Sequence, residues 1–278
     1  MSNKVSSWFE SHSLALYFII TYAVSWAIWS PIVLAAQGLV KWQVPFAVYY
    51  LGSFGPMISA LIMTAITTGG TGLHKLLARL LKWRVDLHNY AFAVLAPVGL
   101  FVIAVMLNRI IAGTWPDLKL LGEADYMPTL GLGGVLILWF LTYGLGEETG
   151  WRGYALPHLQ RKHPAANAAL ILGIFWGCWH IPAFFFRDTY SEMGIIGFPM
   201  LIVSIVFASV VFTWLYNSTG GSLLLVTLFH VFFNWLSVSE AGGQYVAIIM
   251  TMPLILWSIY VVRKYGLENV APVDKQIG

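Results

Sequence analysis

Leu136-Ile-Leu-Trp-Phe-Leu-Thr-Tyr-Gly-Leu-Gly-Glu-Glu-Thr-Gly-Trp-Arg-Gly-Tyr-Ala-Leu156 is an apolar run that leads straight into two adjacent acids and an arginine. A charged side chain at membrane depth costs about 2.5–3.5 kcal/mol on insertion scales, so such groups persist where they pair or work. Glu147 and Glu148 are therefore the first place to look for chemistry, and the run around them reads as one membrane span among several.

The composition of the whole chain agrees. Its 278 residues are 59% hydrophobic and 10% charged, whereas soluble domains carry about 25% charged residues. This predicts an all-α, polytopic membrane protein. A net charge of +3 is too small for nucleic-acid binding, and one cysteine, Cys178, excludes a disulfide framework or a cysteine-rich metal site. The first apolar run, from near Leu14, is too long for a signal-peptide core and reads as a retained span.

A span needs roughly 20 apolar residues. Eight candidates lie at about 14–36, 45–67, 89–112, 131–158, 165–186, 194–216, 222–240 and 244–262. Between the second and third, residues 72–84 place leucines at helical spacing with bases opposite, the pattern of one interfacial amphipathic helix. Lys75, Arg79, Lys82 and Arg84 follow span two, Arg161 and Lys162 span four, and Arg263 and Lys264 span eight. Asp117, Glu123 and Asp125 follow span three. The positive-inside rule then puts both termini in the cytoplasm. The expected organisation is a short N-terminus (1–13), a single helical membrane domain (14–262, with its chemistry in about 131–240) and a C-terminal tail (263–278).

Three polar motifs fall inside these spans. In Glu147-Glu148-Thr-Gly-Trp-Arg152, Glu148 and Arg152 are four apart in the favourable acid-first order. Their pairing leaves Glu147 as the reactive carboxylate. In Trp176-Gly-Cys-Trp-His180, the histidine lies about 16 residues beyond the turn near His163, and Glu147 lies about 16 before it, so both sit roughly 24 Å along their helices. In His230-Val-Phe-Phe-Asn234, the four-residue spacing stacks both side chains on one face, at roughly 14–20 Å. Around the acids, Gly131, Gly133, Gly134, Gly144, Gly146, Gly150 and Gly153 would let helices approach closely. Trp8, Trp26, Trp29, Trp42, Trp83 and Trp115 read as interface belts, and Cys178 as a small buried apolar group. Each polar residue alone fits packing or helix adhesion. Glu147, His180, His230 and Asn234 together fit a single cavity better.

The ordered set, Glu-Glu-x-x-x-Arg, aromatic-x-x-x-His and His-x-x-x-Asn, resembles the CPBP family (CAAX protease and bacteriocin-processing, also called Abi) of intramembrane endopeptidases, which includes the Ras-converting CAAX proteases. Trp176 stands where the family commonly has Phe. The resemblance spans about residues 131–240, and eight spans also match the family architecture. It implies that Glu147 and His180 activate a water and that His230 and Asn234 stabilise the oxyanion, with Glu148, Arg152 and Trp176 in support. Its implied substrates are a prenylated CAAX-type C-terminal tail or a small bacteriocin-like peptide at the lipid bilayer, and the absence of targeting features suits a prokaryotic plasma membrane. Imidazole and amide donors aimed at developing negative charge are a side-chain oxyanion hole, and a carboxylate is a workable base. A metal-free glutamate mechanism is preferred. The alternative is catalytic zinc held by Glu147, His180 and His230, a donor type known for zinc. A proton-coupled transporter and a non-catalytic peptide-binding immunity protein are the competing classes. Asn234 separates the first of these from an enzyme, because a proton path has no use for it.

Overall fold

The computed structural model describes residues 2–121, 130–243 and 245–278, all helical or loop, with no strand among them. Glu123 and Asp125 lie outside the described residues. The helices are α1 (Ser2–Ala36), α2 (Val48–Gly52), α3 (Gly55–Leu80), α4 (Leu87–Ala112), α5 (residues 131–160), α6 (Ala165–Trp179), α7 (Asp188–Ser191), α8 (Gly194–Ser218), α9 (Leu223–Ser237) and α10 (Val246–Asn269). Among the described residues, six segments are long and apolar enough to cross a membrane: Ser11–Ala36, Val48–Leu80, Leu87–Ala112, Ala165–Phe185, Ile196–Ser218 and Val246–Asn269. The protein is an all-α integral membrane protein.

The two other expected spans are helical but unusual. The α9 helix has 15 residues, about 22 Å at 1.5 Å per residue, which is short of a full bilayer core. The α5 run is not a plain α-helix. Phe140–Glu147 and Trp151–Ala155 are π-helical, with ordinary α turns before, between and after them. Such i→i+5 turns are rare, are wider than α turns, and recur at functional sites.

Glycine explains why α5 sits so close to its neighbours. A Cβ at Gly146 would lie 2.7 Å from the Ser53 carbonyl oxygen, and one at Gly153 would lie 2.8 Å from Leu76 and 3.0 Å from Leu223. Gly144 faces Thr227 and Val231 of α9, and Gly150 faces the backbone of Pro56. The close approach expected of the glycines holds for these four. It does not hold for Gly131 and Gly133, which face open space, or for Gly134, which meets only Leu130 of its own turn.

Three further expectations are corrected. The amphipathic segment is the end of α3 beyond a kink at Gly69 (φ 63°), with Leu76 buried and Lys75 exposed. It stops at Leu80 rather than Arg84, because Lys82 turns to the α8–α9 loop: its Nζ donates to the Gly220 carbonyl (2.6 Å) and its own carbonyl accepts from Ser222 (2.7 Å). Trp29 is a core residue whose indole N–H donates to the Tyr49 carbonyl, and Trp26 donates to that of Trp179. Both pack against protein, whereas Trp8, Trp42, Trp83 and Trp115 are exposed. The helix α10 runs to Asn269, and the residues after it are tied to the bundle. Gln276, Ile277 and Lys275 bond Gln160, Arg161 and the His163 carbonyl. Cys178 is only partly buried.

These contacts gather the ends of α3, α5 and α8 and the C-terminal segment at one end of the bundle, with the basic residues that follow α3 and α5. The far end of α1 lies at the other end, where Gln37 donates to the Phe185 carbonyl.

Gly150→Ala should lower the thermal midpoint of the detergent-solubilised protein by an amount equivalent to about 1–3 kcal/mol, since its Cβ has only Pro56 backbone to move. Gly133→Ala, facing open space, should not lower it. Equal shifts in the two variants would contradict the close-approach account.

Candidate active site

The site is assembled from α5, α6, α8 and α9. Adjacent residues on a helix diverge by about 100°, so Glu147 and Glu148 address different partners. Glu148, fully buried, accepts from Arg152 Nη1 at 2.8 and 3.1 Å and bonds His230 Nδ1 at 2.7 Å. Glu147, 3% exposed, accepts from Trp176 Nε1 at 2.9 Å. The expected Glu148–Arg152 pair therefore forms, and one acid reaches α9 while the other reaches α6.

Arg152 is as buried as its partner. Its guanidinium lies 4.3 Å from the ring centres of both Trp176 and Phe212, a cation–π sandwich that replaces part of its lost hydration. The Phe212 ring also meets His230 edge-on at 5.3 Å, and Trp176 does so at 5.4 Å. Phe212 lies in an apolar span with nothing in its residue type to single it out. Tyr190, whose ring stacks over His180 at 6.2 Å, stands in the polar stretch of residues 187–192, with no motif around it to single it out.

Each histidine is tied by its Nδ1. In His180 the partner is the Trp176 carbonyl (2.8 Å), and in His230 it is the Glu148 carboxylate. Both partners are acceptors, so each Nδ1 carries a proton. Among the described residues, each Nε2 and Glu147 Oε1 lack a hydrogen-bond partner, and none of the three is a fully buried unpartnered atom. Asn234, one turn beyond His230, is partly buried, and its side chain likewise makes no hydrogen bond among the described residues. Glu147, His180 and His230 thus each have one polar atom held by protein and a second that is not.

Glu147 meets the side chain of Trp176, four residues before His180, and the π turns at Trp151–Ala155 fit more residues into each turn than an α-helix does. For the zinc alternative, no three His, Cys, Asp or Glu side chains are grouped to hold a metal among the described residues, while the Nδ1 contacts of both histidines are of the kind that metal-bound imidazoles make and leave Nε2 to ligate.

Fold and site define a polytopic α-helical membrane protein with a buried acid–base cluster. Residues 129–236 match the family described as Type II CAAX prenyl endopeptidase Rce1-like. This segment contains all three motifs, so the resemblance read from them is borne out over these residues. Over 228 residues, the chain is also 24% identical to CAAX prenyl protease 2 of Methanococcus maripaludis, covering 79% of this chain and 82% of that protein.

Losing one member of a buried ion pair typically costs about 3–5 kcal/mol, because the other charge is stranded. Arg152→Met should therefore destabilise the protein strongly, and Glu148→Gln in the same chain should recover part of the loss. A denaturation series in which the double variant is no better than Arg152→Met would remove the stranded charge as the cause.

Proposed function

We propose that this protein is an intramembrane endopeptidase that cleaves a prenylated, CAAX-type C-terminal tail by a metal-free glutamate mechanism. The family match supports endopeptidase activity. The observation that carries the chemistry is that Glu147 Oε1 and the Nε2 atoms of His180 and His230 lack a hydrogen-bond partner among the described residues, while each group's other polar atom is fixed.

The two histidines divide the work according to what holds them. His180, tied to a neutral carbonyl, keeps a lone pair on Nε2 that accepts a hydrogen bond from the attacking water. Glu147 Oε1 takes the water's proton as its oxygen adds to the peptide carbonyl carbon, and the carbonyl electrons move onto oxygen. His230 is tied to a carboxylate, which compensates the charge of a ring protonated on both nitrogens. Its Nε2–H and the Asn234 amide donate to the new oxyanion. Collapse breaks the C–N bond, and the proton held by Glu147 passes to the departing amine, leaving a carboxylate and an amine as products.

By the positive-inside rule the basic end of the bundle is cytoplasmic, with both termini, in a prokaryotic plasma membrane. A small bacteriocin-like peptide is the alternative substrate. The partly buried, unbonded Asn234 favours an enzyme over a proton path.

With a farnesylated CAAX-type peptide, Glu147→Gln should abolish cleavage while peptide binding persists, and Asn234→Ala should lower kcat on the order of 10²-fold with little change in affinity. Full cleavage by purified Glu147→Gln protein removes Glu147 from its role. After exhaustive chelation, a preparation shown by metal analysis to be zinc-free should keep its activity. Loss of activity that zinc alone restores would favour the metal mechanism.

A further inference from the structure

The position that carries an aromatic in the second motif holds a tryptophan in this chain, and a phenyl ring could not make the contact seen here. Among the described residues, the Trp176 indole N–H supplies the one hydrogen bond that the Glu147 carboxylate receives, at 2.9 Å to Oε2. The same residue's carbonyl accepts from His180 Nδ1 at 2.8 Å. Its ring is 5% exposed, with Arg152 over its face and His230 at its edge. One residue therefore touches four members of the cluster, on α5, α6 and α9.

We propose that Trp176 is a positioning residue that locks Glu147 and His180 into one geometry. Its N–H pins Oε2, so that only Oε1 addresses the water. Its carbonyl fixes the His180 tautomer and turns Nε2 toward that same water. A carboxylate with both oxygens free would rotate about its last torsion and present either of them, and orientation of the base sets much of the rate of such a step. The structural alternative is a core aromatic that merely fills space between Arg152 and His230, for which phenylalanine would serve equally.

Trp176→Phe separates the two roles, because it keeps a ring over Arg152 and leaves the main-chain carbonyl in place while deleting only the N–H. This inference rests on the endopeptidase reading, so it is tested by two measurements. In kinetics with the farnesylated CAAX-type peptide, Trp176→Phe should lower kcat on the order of tenfold, the worth of a hydrogen bond to a charged group, with KM within about twofold of wild type. In infrared difference spectra of the resting protein, the carboxyl band identified by its loss in Glu147→Gln should shift in Trp176→Phe. An unmoved band, or an unchanged kcat in a cleaving enzyme, overturns the positioning role. A rise in KM together with a fall in thermal midpoint reduces Trp176 to packing and overturns it as well. A shifted band in a protein that cleaves no peptide leaves the Trp176–Glu147 contact standing and sinks the endopeptidase reading instead.

Discussion

The buried Glu148–Arg152 pair is the constraint around which the rest is organised. Neither side chain is exposed, and each alone would be prohibitive in that setting. The structure meets the requirement from four helices at once. The acid and base come from α5, the imidazole from α9, and the aromatic faces that bracket the guanidinium from α6 and α8. Helices that lack a hydrophobic drive to associate within lipid are thereby given a polar reason to do so, in one register. Because Glu148 also bonds His230, the group that neutralises the arginine orients an imidazole of the proposed reaction.

The π turns of α5 follow from the same demand. Two consecutive acids must both face protein, one toward α6 and one toward α9, on a helix that also brings four glycines against α3 and α9. A regular α-helix has a single narrow stripe for such contacts. Widened turns on both sides of Glu148 broaden that stripe. The backbone irregularity thus lies where the chemistry does, in keeping with the usual placement of such turns.

Much of this was legible in the residues themselves. An ionisable group in an apolar run has few reasons to exist, so Glu147, Glu148, Arg152, His180 and His230 announced the site, and the acid-first spacing announced the pair. What could not be read is equally specific. Phe212 is an aromatic in an apolar span, and only tertiary contact distinguishes it from a lipid-facing ring, while Tyr190 stands in a polar stretch between spans that carries no motif. Helix register is another blind spot: no residue type encodes an i→i+5 bond, so the π turns of α5 could not be read from the residues. Trp29 was misassigned because a tryptophan near the end of a span suits an interface and a core equally well, until its N–H finds the Tyr49 carbonyl.

In the proposed reaction, two histidines of the same intrinsic chemistry do different things. Both donate from Nδ1 and both leave Nε2 open, so the distinction cannot come from tautomer. It comes from the acceptor behind each ring. A carbonyl offers His180 only a dipole, and its open nitrogen remains a lone pair that can receive a hydrogen bond. A carboxylate, itself shared with Arg152, offers His230 a compensating charge, and its open nitrogen can then donate. In that proposed reaction three helices supply one acid, one acceptor and two donors, and attack and oxyanion stabilisation are assigned by the groups behind the rings rather than by the rings.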